Sequence, residues 1–183
     1  MACNLINVKP GLNCKENYSG TGNKAYIARL TDEQRAALVY SEDSPRMTIA
    51  SEILATIKFC EVVLKSKVNM VEYQSNKNGG GYTATAKFVV DKQVDDWAMN
   101  SSIMNNTSDW IALLSDGQGA FYFLGDPNFD NEFDDAGTTG DAPDSDKGST
   151  VTITAGPLRY EYLKIEGKMV PGSEGSFTLS ASD

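Results

Sequence analysis

Asp126-Pro-Asn128-Phe-Asp130 places three oxygen-bearing side chains at alternate positions, which is how a D-x-N-x-D calcium loop begins. The match then stops. An EF-hand loop needs glycine at its sixth position and a bidentate glutamate at its twelfth, and those places hold Asn131 and Gly137. Asp126, Asn128 and Asp130 are therefore candidate calcium ligands only in a loop of another design. The preferred reading is a solvated acidic loop over 126–148 whose charge repels neighbours. The adjacent pairs Asp95–Asp96 and Asp134–Asp135 do not by themselves give the two facing carboxyls, about 5–9 Å apart, that glycoside hydrolysis needs. Gly20-Thr-Gly22-Asn-Lys24 lacks the G-x-x-x-x-G-K-[ST] spacing of a phosphate loop and reads as a turn before the first strand.

The chain has no histidine. That excludes Ser-His-Asp and Cys-His catalysis, histidine general bases and most catalytic metal sites. Cys3, Cys14 and Cys60 are an odd, low count without the paired spacing of a zinc site, and they read as reduced thiols. The N-terminus has no basic stretch leading into an apolar one, so no secretory signal is expected. No run approaches the roughly 20 apolar residues of a membrane span, so no membrane anchor is expected. No catalytic residue and no cofactor is assigned. With 25 acidic and 16 basic residues in 183, the net charge of -9 suits a surface that nucleic acid passes without gripping.

The elements must then account for the chain. Residues 57–74 and 82–90 read as two long extended runs around Asn76-Lys77-Asn78-Gly79-Gly80-Gly81, whose glycines accept the positive φ of a hairpin tip. In the second run Tyr82, Ala84, Ala86, Phe88 and Val90 fall on one side, and Thr83, Thr85 and Lys87 on the other. Such a hairpin has more backbone edge than a small core covers, so pairing between copies is expected.

Before it, 24–30 reads as a strand. Thr31 and Gln34 have capping-box spacing for a short helix at 32–38, 39–47 reads as a loop, and 47–57 fits helix or strand. After it, 91–105 is the main helix, with an apolar stripe of Val94, Trp97, Ala98 and Met104 and carboxylates in its first turns. Residues 109–125 form a second hairpin, whose aromatics Trp110, Phe121, Tyr122 and Phe123 read as core on one face and subunit contact on the other. Residues 149–155 and 158–165 are two further strands, and 166–183 holds a last strand near 177–179 or a mobile tail. The expected architecture is mainly β: a sandwich or barrel over 23–166 with one flanking helix, an arm over 1–22, and a C-terminal strand or tail over 167–183.

The order GYTATAKFVV, helix with Trp97, WIALLSDGQGAFYFLG, and TTGDAPDSDKGSTVTITAG leading into a Thr-alternating strand resembles the major tail (tail tube) proteins of phages and prophages of gut Bacteroidetes. The resemblance covers the middle and C-terminal two-thirds. It implies a non-enzymatic virion subunit, assembled in the host cytoplasm, in which six copies close into a ring. The long hairpins would join an inter-subunit β-barrel, and stacked rings would form a tube through which DNA passes without specific binding. Partners would be copies of itself and other tail or connector proteins. Thr83, Thr85 and Lys87, with the tip Gly79, Gly80 and Gly81, would lie at the lumen or subunit interface, the opposite side of the strand being the alternative lining. The loop 126–148 and the arm would meet neighbouring rings. A head–tail connector or tail ring of other symmetry is the close variant, and a calcium- or carbohydrate-binding β-sandwich module the competing class.

Overall fold

The computed structural model describes residues 21–42, 44, 46–64, 70–76, 80–90, 95–107, 109–116, 121–138, 148–160, 164–165, 168–172 and 176–180. Residues 1–20 of the expected arm over 1–22, the tip residue Gly79, Cys3, Cys14, Val94 and the side chain of Trp97 lie outside what is described.

The first described element is β1 (Thr21–Arg29), so all but Gly20 of the expected turn at 20–24 is already strand. Helix α1 (Asp32–Ala36) follows on the expected capping box. Gln34 N donates to Thr31 Oγ1 at 3.3 Å, and Thr31 N donates to Gln34 Oε1 at 3.0 Å. The expected loop at 39–47 instead contains two short strands, β2 (Val39–Tyr40) and β3 (Arg46–Thr48). The ambiguous stretch holds one helical turn, α2 (Ser51–Leu54). Next come β4 (Cys60–Val63), β5 (Met70–Ser75), β6 (Tyr82–Val90) and the main helix α3 (Asp95–Asn106). The remaining strands are β7 (Trp110–Asp116), β8 (Phe121–Leu124), β9 (Glu132–Thr138), β10 (Gly148–Leu158), β11 (Lys164–Ile165), β12 (Lys168–Pro171) and β13 (Phe177–Ser180).

These strands form a seven-stranded sheet in the order β2-β3-β11-β8-β7-β1-β4, a four-stranded sheet β5-β6-β10-β9, and a β12-β13 pair. Pairing is antiparallel except between β3 and β11. The result is mainly β and sandwich-like, with no closed barrel among the described residues.

Three further expectations need correction. The long first arm, 57–74, is not one strand. Its start, β4, closes the edge of the larger sheet against β1, while β5 pairs with β6 in the smaller one. An isolated Leu64–Val90 bridge marks where the chain leaves one sheet for the other. The acidic loop is not all loop either, because Glu132–Thr138 pairs with β10 along its whole length. The expected strand over 158–165 is also broken. Leu158 ends β10, Arg159 and Tyr160 bend away, and β11 takes up again at Lys164.

The core follows the pleat. Ala84, Ala86, Phe88 and Val90 of β6 and Val151, Ile153 and Ala155 of β10 are buried, as are Ala25, Ile27, Ala112 and Leu114 of the facing layer. On the far side of the larger sheet, Phe177 of β13 inserts its ring among Tyr26, Phe59 and Phe121 at centroid distances of 4.9, 4.9 and 5.6 Å, all edge-to-face. The C-terminal segment thus supplies a strand and a core residue.

Candidate assembly surface

The outward face of the four-stranded sheet is built by alternation. Each buried residue of β6 and β10 leaves its neighbours pointing away from the core, so Thr83, Thr85, Lys87 and Val89 share a face with Thr150, Thr152 and Thr154. Glu72 and Gln74 of β5 and Glu132, Asp134 and Ala136 of β9 complete it, all exposed. The register aligns them in rows across the strands. One row runs Glu72–Thr85–Thr154–Glu132, and the next runs Met70–Lys87–Thr152–Asp134.

The face is therefore a threonine field with carboxylates on both outer strands and, among the described residues, a single lysine, Lys87, near the middle. Threonine suits it, since its β-branched side chain fits a pleated surface and its hydroxyl tolerates water. No strand among the described residues pairs with the outer edge of β5 or of β9. Along those edges Val71, Tyr73 and Phe133 are only partly buried on the core side.

The hairpin tip holds one end of this face. Asn76 N donates to Gly81 O at 3.0 Å, and Thr83 Oγ1 donates to Asn76 Oδ1 at 3.0 Å. Gly80 and Gly81 have φ of 72° and 75°. A side chain at Gly81 would meet the carbonyl oxygen of Leu158 at 2.6 Å, whereas Gly80 opens onto free space.

The calcium candidates have separate partners. Asp126 is buried and its carboxylate is engaged twice: Tyr40 Oη donates to Oδ2, and the backbone N–H of Asn128 donates to Oδ1 at 2.7 Å. Burial first, and the hydrogen bond to Asp126 second, hold the Tyr40 phenol well above the usual tyrosine range. Tyr40 Oη also accepts from Arg159 N. Asn128 is exposed, and Asp130 pairs with Arg35 of α1 at 2.8 Å. Asn131, the residue that broke the calcium pattern, is buried and donates from Nδ2 to the Trp110 carbonyl at 2.7 Å. That bond ties the loop to the start of β7.

The other acidic pair, Asp134 and Asp135, splits between faces. Asp134 points outward, and Asp135 points inward, where it accepts from Ser101 Oγ of α3. No group of three or more acidic or cysteine side chains converges as a metal site among the described residues. Trp110, Phe121 and Phe123 are buried in the core, with Tyr122 half-buried between them.

Elsewhere a cleft of about 270 Å3 opens between α3 and the larger sheet, with Ile27, Val62, Ile103, Met104, Trp110 and the exposed thiol of Cys60 in its lining. At the edge of that sheet, Lys24 and Glu61 pair at 2.8 Å. Their hydrogen bond raises the lysine and lowers the carboxyl from their ordinary values. The chain's sequence did not single out Glu72 or Tyr40. The alternation in VEYQS carried a signal for Glu72, while nothing local links Tyr40 to Asp126, which stands 86 residues away.

No helix of the described residues is long and apolar enough to cross a membrane. Comparison with protein families, with curated proteins and with solved structures returned no match for this chain.

Proposed function

We propose that this chain is a virion structural protein whose copies close side by side into rings, and that the rings stack into a phage tail tube for DNA passage. The observation that carries the reading is the four-stranded sheet: an outward threonine-and-carboxylate face bounded by two strand edges that no other strand among the described residues pairs with. Open edges are templates for pairing, and closure into a ring removes them. Directions alternate through β5-β6-β10-β9, so β9 of one copy and β5 of the next meet as an antiparallel pair without reversing either subunit. In such a ring the outward face lines the channel. Carboxylates and hydroxyls there repel or ignore the phosphate backbone and leave DNA free to slide. The buried Ala84–Phe88 side is committed to the core, so Thr83, Thr85 and Lys87 are the lining in this reading.

Negative-stain electron microscopy of the concentrated protein tests it. Rings or short tubes with a central channel are expected. A chain that stays strictly monomeric at high concentration, in dilute buffer and in salt alike, would count decisively against it.

A further inference from the structure

We infer that ionic strength governs association through this sheet, a regulation that rests on the assembly reading above. Glu72 and Glu132 end the same cross-strand row, and Asp134 ends the next. When β9 of one copy meets β5 of another with rows aligned, Glu132 stands opposite the neighbouring copy's Glu72. Moved along by one same-face step, Asp134 takes that place instead. Both registers set two carboxylates directly opposite each other, which opposes strand pairing. Lys87 does not relieve the clash across the seam, since its own row neighbours are Met70 and Thr152.

On the core side the balance is reversed. Val71 and Tyr73 at one edge and Phe133 at the other are partly buried, and a neighbouring strand would cover them further. Association is thus favoured by apolar contact beneath the sheet and opposed by charge above it. Only the second of these is strongly screened by salt. The screening length falls from roughly 30 Å at about 0.01 M to roughly 3 Å at about 1 M. Dilute buffer keeps copies apart, and salt lets the edges pair.

Sedimentation of the full-length protein from about 0.02 to about 1 M NaCl reads this directly. The oligomer fraction is expected to rise with salt. The double variant Glu132→Gln/Asp134→Asn is expected to associate in dilute buffer, with an association constant raised about two- to fivefold per opposed pair removed, and to lose part of the salt dependence. Glu72→Gln, on the other edge, should act in the same direction. Glu42→Gln/Glu52→Gln makes the same change in net charge away from the sheet, and should leave the salt response as it was. Oligomers equally populated at every salt concentration, or dissolved by salt, overturn this inference while leaving the assembly reading standing. No oligomer under any condition overturns both. All five positions are exposed, and a thermal melt of each variant verifies that it is folded.

Discussion

Tyr40 Oη donates a hydrogen bond to the buried carboxylate of Asp126, joining the short β2 strand to the loop that follows β8. The pair makes a specific pH prediction. Folding raises the Tyr40 pKa above its ordinary value of 10, mainly through burial. The neutral phenol is therefore the form the fold stabilises. Its contribution is complete below pH 10 and is lost as pH rises from there toward the folded-state value. Urea denaturation at rising pH should show wild-type stability falling above pH 10 more steeply than that of Tyr40→Phe. At neutral pH the variant should be less stable by about 1–3 kcal/mol, because the buried Asp126 carboxylate loses a hydrogen-bond donor. Parallel stability curves for the two proteins would contradict this account.

Gly80 and Gly81 share a left-handed backbone but not their surroundings. Gly80→Ala meets only the backbone strain, while Gly81→Ala also drives a methyl group into the Leu158 carbonyl. Chemical denaturation should rank them, with Gly81→Ala costing more than Gly80→Ala and the latter about 1 kcal/mol. Equal losses would mean that the approach of the hairpin tip to β10 is looser than described.

Phe177→Ala tests whether the C-terminal hairpin is part of the body. The ring is 1% exposed and lies edge-on to three aromatic neighbours. Its removal should destabilise the whole chain by about 3–5 kcal/mol, in a single cooperative transition seen by calorimetry. A loss under about 1 kcal/mol would return 167–183 to the status of an appended tail.

Calcium separates the assembly reading from that of a calcium-binding module. Both oxygens of Asp126 are occupied by Tyr40 and the Asn128 N–H, and Asp130 is engaged by Arg35. Millimolar calcium is expected to leave the melting temperature unchanged. A rise of several degrees, reproduced with wild type and abolished in Asp126→Asn, would favour the module instead.

Much of the local structure was legible in the sequence. The period of two in residues 82–90 and 149–155 separated core from surface correctly, because successive side chains of any strand point to opposite faces. Thr31 and Gln34 announced their helix by spacing alone, since a capping box closes within one turn. The second hairpin was legible for the same reason, its partners being separated only by their own turn. The candidate lining was half legible: Thr83, Thr85 and Lys87 could be grouped on the polar side, but which side of the strand would face a channel could not be told.

What failed was everything that depends on a distant partner. The run 57–74 looks continuous, yet its two parts belong to different sheets, because β1 claims one and β6 the other. Glu132–Thr138 looks like a solvated loop by composition. It is a strand because β10 offers it an edge, because its outer carboxylates stay in water, and because Asp135 finds Ser101. Sequence by itself determined the absence of histidine chemistry, the acidic charge and the alternation of faces, since these are properties of residues and of near neighbours along the chain. Only the tertiary structure decided which carboxylates end the same row and which edges find no partner strand among the described residues, since register is fixed by pairing between segments far apart in the sequence.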